Sequence, residues 1–104
     1  MKLWVDDVRP APDGYVWCKT VNEAKDTILV CELHATVFES NRIELIDIDH
    51  DAGEYANDGG DYIAILNWLE ETGRNYPIRI HSMNPVGREN MRRIIQRNGW
   101  TEIN

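Results

Sequence analysis

Three short polar clusters stand out along the chain: Asp6-Asp7, Asp49-His50-Asp51 and His81-Ser82. Carboxylates gathered at hydrogen-bonding distance repel one another unless protons or a cation intervene. A hard divalent cation such as Mg²⁺, held by one or two carboxylates and water, is the economical partner. Asp6, Asp7 and Asp49 are therefore candidate metal ligands, and Asp51 either joins them or orients His50. Asp47 shares the side-chain parity of Asp49 but lies deeper in its segment, which makes it a poorer ligand. The plain alternative for all of them is a set of solvated loop carboxylates or helix caps. His50 and His81 are imidazoles, a side chain suited both to taking and to giving a proton, so together they suit a phosphodiester flanked by a general base and a general acid. Their plain alternative is a pair of core-edge histidines bonded to carbonyls. Ser82 offers a hydroxyl to a phosphoryl oxygen. His34 has no such company and reads as a surface residue.

A second constellation follows the last histidine. Asn84-Pro85-Val86-Gly87-Arg88 has the form of a helix start, with an N-cap asparagine and proline at the first helical position. Free N–H groups and the positive end of a helix attract phosphate. Asn84, Gly87 and Arg88 are thus candidate phosphate-binding residues: Gly87 permits close approach, and a guanidinium can hold two oxygens at once. Arg9 emerges from the first loop toward the same rim. The competing reading is an ordinary cap, with Glu89, Arg92 and Arg93 in solvent pairs one turn apart.

The elements that would carry these groups alternate. Leu3–Asp6 reads as a short buried strand, and Arg9–Gly14, with two prolines, as a turn. Tyr15–Cys18 is a second strand. Thr20 and Glu23 have capping-box spacing, and Val21, Ala24, Ile28 and Leu29 continue a helix to about Leu33. Ile43–Asp49 is a third strand and Ala52–Gly60 a loop. Asp61 opens a helix carrying Ile63, Leu66, Trp68 and Leu69, stopped by Gly73. Pro77–Ile80 is a fourth strand. A third helix has Val86, Met91, Ile94 and Ile95 on its apolar face and Asn98-Gly99 at its end, and the last residues could add a short edge strand. The alternation predicts an α/β domain, residues 1–104, with a mostly parallel sheet of four to five strands and about three helices. The first connection is too short for a crossover helix, so either the first helix is reduced to a loop or strands one and two are antiparallel; the reduced helix is preferred. In such a sheet, ligands lie beyond the carboxyl ends of the strands. With strand order 2-1-3-4, the three polar clusters would share one crevice.

Composition narrows the partners. The chain has 104 residues, 42% hydrophobic and 28% charged, an ordinary globular balance. Residues 1–73 hold 5 Lys+Arg against 16 Asp+Glu, net -11, and residues 74–104 hold 6 against 2, net +4, giving the overall -7. An acidic body does not wrap duplex DNA by bulk attraction, whereas an arginine-rich end suits a local anion site. No apolar run approaches the roughly 20 residues that span a bilayer, and the first residues lack a signal-peptide core. A cytoplasmic setting is expected, with Cys18 and Cys31 as reduced, half-buried thiols.

Leu-Trp-Val-Asp-Asp-Val-Arg-Pro-Ala-Pro-Asp-Gly, then Asp-His-Asp-Ala-Gly, then His-Ser-Met-Asn-Pro-Val-Gly-Arg-Glu-Asn-Met together resemble the cyclic-phosphate-processing receiver-like family, relatives of the response-regulator receiver domain. The likeness spans residues 3–98. It implies a flavodoxin-like (receiver-like) fold and action on cyclic phosphates of nucleotides or RNA ends. It also implies that Asp6 and Asp7 stand where a receiver keeps its acidic pair, that Asp49 best matches the phospho-accepting aspartate, and that Ser82 matches the hydroxyl ending the fourth strand. One departure argues against phosphorelay: a receiver uses a lysine late in its chain, and the last lysine here is Lys25. The expected function is metal-assisted opening of a cyclic phosphodiester, with a small phosphorylated or cyclic-phosphate ligand or an RNA end as partner. The rivals are a non-catalytic phosphate- or nucleotide-binding module and a degenerate receiver serving as an interaction domain.

Overall fold

In the computed structural model, which describes residues 1–104, four short strands form one all-parallel sheet. They are β1 (Lys2–Val5), β2 (Tyr15–Cys18), β3 (Leu45–Ile48) and β4 (Ile78–Ile80), in the order β2-β1-β3-β4. Three helices follow β2, β3 and β4: α1 (Val21–Ala35), α2 (Ile63–Glu71) and α3 (Pro85–Asn98). Single 3₁₀ turns occupy Glu39–Asn41 and Gly53–Asn57. The receiver-like α/β architecture and the order 2-1-3-4 are as expected. The pairing of β1 with β2 is parallel, which settles the first connection: the helix there is reduced to a loop. The chain's last segment contributes only one parallel bridge, Ile78 to Glu102, not a fifth strand.

Topology explains where the helices lie. Crossovers between parallel strands are right-handed, so connections running in opposite directions along a sheet pass over opposite faces. The crossovers that carry α1 and α2 run one way, toward β3 and β4. The β1–β2 connection runs the other way, and it is the one without a helix. Leu3, Val5, Cys18, Ile46, Ile48, Ile78 and Ile80 therefore share a single core with Val21, Ala24 and Ile28 of α1, Ile65, Leu66 and Leu69 of α2, and Met91, Ile94 and Ile95 of α3. The alternate strand residues, Lys2, Trp4, Trp17, Asp47 and Arg79, belong to the other face. There the loop after β1 is tied down by two indoles: Trp4 Nε1 donates to Arg9 O at 2.9 Å and Trp17 Nε1 to Asp6 O at 2.8 Å.

Local signals set the helix ends. Thr20 Oγ1 accepts from Glu23 N–H at 2.9 Å, and Asn84 Oδ1 accepts from Gly87 N–H at 3.0 Å, so both predicted N-caps form. Gly99 closes α3 in the left-handed region, at φ 67°. Other expectations are corrected. Asp61 does not open α2, which begins at Ile63; its Oδ1 instead accepts from Ala52 N–H at 3.0 Å and braces the preceding loop. On α1 the inward position is Cys31, and Leu29 is 46% exposed. Val86 is 70% exposed, while the next residue of that turn, Gly87, is the buried one, set against the His50 ring. Cys18 and Cys31 are free, and fully rather than half buried; burial pushes the Cys18 thiol up to about 11. No helix is long and apolar enough to cross a membrane.

Candidate functional site

The pairing register places Val5, Ile48 and Ile80 side by side. The residues that follow them, Asp6, Asp49 and His81, consequently leave the sheet at the same level. One ligand atom from each of these three lies within 4.8 Å of the others. Asp6 is fully buried. Its Oδ1 accepts from the N–H groups of Val8 (2.9 Å) and Arg9 (2.8 Å), and its Oδ2 lies 2.9 Å from His81 Nε2. Burial pushes the Asp6 carboxyl up, but those three donors outweigh it and hold it below the usual carboxylate value. Asp7, by contrast, is raised by burial and by the negative charges of Asp6 and Asp49. Its Oδ2 occupies the space beside Gly53, where a Cβ would come within 2.5 Å.

His81 is held on three sides. Its Nδ1 is 2.7 Å from Asp47 Oδ1 and its Nε2 meets Asp6, while the Trp4 ring stacks on it at 4.0 Å and 4°. Burial disfavours the imidazolium, yet the carboxylates of Asp47 and Asp6 prevail and the His81 pKa rises. Arg9 closes the rim, donating from Nη1 to His81 O at 3.3 Å, with Asp6 Oδ2 at 3.9 Å.

A second group lies one residue along the chain. His50 N–H donates to Asp49 Oδ1 at 2.8 Å. The His50 Nδ1 meets Asp51 Oδ1 at 2.9 Å, and Asp51 Oδ2 accepts from Asn84 Nδ2 at 3.4 Å. Asp51 thus bonds the His50 ring and lies outside the Asp6–Asp49–His81 group. The bond to Asp51 leaves the second ring nitrogen, Nε2, without a partner. The His50 ring packs on the first turn of α3, where a Cβ on Gly87 would fall 2.4 Å from it.

The expected phosphate seat differs in detail. The missing side chain of Gly87 makes room for the His50 ring rather than for a ligand, and the Gly87 N–H is spent on Asn84. Arg88 Nη1 donates to Ile80 O (3.3 Å) and Ser82 O (3.0 Å), so one arm of its guanidinium is anchored on the end of β4. Ser82 is buried, and its Oγ accepts from Asn84 N–H at 3.1 Å, closing the turn into α3. The remaining arginines of the basic segment are mostly paired: Arg74 with Glu32, Arg92 with Glu102, Arg97 with Glu70, and Arg93 with Glu89. Arg9 and Arg88 are the cations left at the site. The polar contact between Asp47 and His81 was hidden in the sequence, where only the shared parity of Asp47 and Asp49 hinted at it.

The donor set fits a hard divalent cation. Two carboxylates and an imidazole, those of Asp6, Asp49 and His81, lie within reach of one ion, and burial together with the charges of Asp6 and Asp49 raises the neighbouring Asp7 carboxyl.

The sequence profile of the cyclic-phosphate processing receiver domain matches residues 1–97. The chain belongs to this family. Comparison with curated proteins and with solved structures returns no match. The matched span includes the acidic pair after β1 and the aspartate after β3. The histidines His50 and His81 occupy the same end of the sheet, and no lysine lies beyond Lys25.

Proposed function

We propose that this receiver-like domain opens a cyclic phosphodiester by hydrolysis. The observation that carries the reading is the convergence of Asp6, Asp49 and His81 on one point with the oriented His50–Asp51 pair beside them. Asp6, Asp7 and Asp49 would hold a divalent cation, Mg²⁺ or a similar ion, which when bound neutralises charge on the phosphoryl oxygens. Arg9 and Arg88 add fixed positive charge on the rim. His50 Nε2 takes a proton from the attacking water as the new P–O bond forms. The ring P–O bond breaks, and the imidazolium returns the proton to the departing oxygen. One water is consumed and a phosphomonoester results. Asp51 keeps the His50 ring turned for this task. Since both nitrogens of His81 face carboxylates, its part is to organise the acidic cluster rather than to shuttle protons. The substrate is a cyclic nucleotide or the 2′,3′-cyclic phosphate of an RNA end.

The test is ³¹P NMR of the chain with 2′,3′-cyclic and 3′,5′-cyclic nucleotides and a short RNA ending in a 2′,3′-cyclic phosphate, each with Mg²⁺ or Mn²⁺. Conversion of a cyclic resonance to a monoester is expected, falling by about 10²–10⁴-fold in His50→Gln. Saturable binding of the same compounds without product, under every metal, would overturn hydrolysis in favour of a binding module.

A further inference from the structure

Asp47 is a costly residue for its position. It sits in the middle of β3 between the core residues Ile46 and Ile48, and its side chain is 1% exposed. A buried carboxylate carries a desolvation penalty of several kcal/mol unless it is well paired. Only half of it is paired. Oδ1 meets His81 Nδ1 at 2.7 Å, while Oδ2 has no hydrogen-bond partner and its nearest cation, Arg79 Nη1, is 3.8 Å away. An apolar residue would pack this strand at lower cost, so the use of Asp47 must lie in its one strong contact. That contact fixes His81. With Nδ1 on Asp47 and the ring pinned by Trp4, the other nitrogen can point only toward Asp6 and Asp49. A histidine whose far N–H is held by a buried carboxylate while its near nitrogen faces a cluster of oxygen donors is the usual outer-shell pattern of a metal-ligating imidazole.

We propose that Asp47 is a positioning residue that keeps the proton on His81 Nδ1 and so makes Nε2 a donor atom of the Asp6–Asp49 cluster, shifting the site's preference from Mg²⁺ toward an imidazole-accepting first-row ion such as Mn²⁺ or Zn²⁺. The inference rests on the reading that this cluster holds a cation. The selectivity follows from donor type: carboxylate and water suit Mg²⁺, whereas an imidazole favours the later first-row ions.

The experiment uses the full chain and two readouts, neither of them turnover. The first is calorimetric titration with Mn²⁺ and with Mg²⁺ of wild type and Asp47→Asn. The asparagine keeps the shape but can donate to Nδ1, which sends the imidazole proton to Nε2 and removes the donor atom. Mn²⁺ affinity is expected to fall by about 10–100-fold and Mg²⁺ affinity by much less. The second readout is ¹⁵N NMR of the His81 ring in wild type loaded with diamagnetic Zn²⁺, which holds even if the variant fails to fold. A protonated Nδ1 and a metal-shifted Nε2 support the proposal. A protonated Nε2, or unchanged Mn²⁺ affinity in a folded Asp47→Asn, overturns it and leaves the phosphodiester reading standing. Failure of wild type to bind any of the three ions would overturn both the cation site and this inference.

Discussion

Asp6 serves two structures at once. One oxygen closes the turn after β1 by accepting from Val8 and Arg9; the other faces His81. The two roles separate by substitution. Asp6→Asn retains the acceptor for the turn, whereas Asp6→Ala removes the acceptor of two part-buried N–H groups, at about 1–3 kcal/mol. Urea unfolding is expected to rank Ala below Asn by that margin, while both lose metal binding; equal stabilities would refute the turn role. At this scale much was legible. Asp6, Asp7, Asp49, His50 and His81 are visible in the sequence because strand ends are short and polar runs there are conspicuous. Asp47 was not, because its value depends on a histidine 34 positions away that only the register brings beside it. Gly87 was legible as a glycine needed for close approach. What approaches it is the His50 ring, which no local signal announces.

The helix starts and stops were readable wherever the signal was local, as with Thr20, Asn84 and Gly99. Asp61 misled because an aspartate near a helix start looks like a cap, whereas its partner is Ala52 across the loop. The first turn of α3 supports a sharper prediction. Gly87→Ala should favour the helix by its propensity, yet its new methyl must displace the His50 ring. Hydrolysis is expected to fall by about 10²-fold through misplacement of the base, with Mn²⁺ affinity unchanged. Undiminished turnover would remove His50 from the chemistry. Between elements, Glu32 of α1 pairs with Arg74 and also accepts from the Tyr76 hydroxyl. The Arg74 guanidinium holds the Glu32 carboxyl below its usual value of 4.5, with Tyr76 adding to the effect against the opposing cost of burial. A depressed carboxylate stabilises the fold above its unfolded pKa and loses that contribution as the pH falls through its folded value. Thermal melts from pH 7 downward should therefore lose stability below about pH 4.5, and Glu32→Gln should flatten that limb. An unchanged acid limb in the variant would contradict the pairing.

Across the whole molecule, the loss of one helix is the organising fact. The β1–β2 loop and two indoles replace it, so the chain has one helical layer, and the face that carries Trp4, Asp47 and His81 runs without interruption into the candidate site. The sequence disclosed this through the length of the first connection. It did not disclose the outer side of α1, where Leu29, Val30 and Leu33 are exposed, because two apolar stripes on one helix give no indication of which faces inward. Leu33→Lys is expected to change stability by no more than about 0.5 kcal/mol; a large loss in urea unfolding would mean the residue is covered. Asp6 and His81, 75 positions apart in sequence, meet at the proposed cation site. Anomalous diffraction from a crystal soaked in Mn²⁺ tests it most directly. One strong peak bounded by Asp6, Asp49 and His81 is expected. A fully occupied peak elsewhere on the molecule, with that cluster bare, would contradict it.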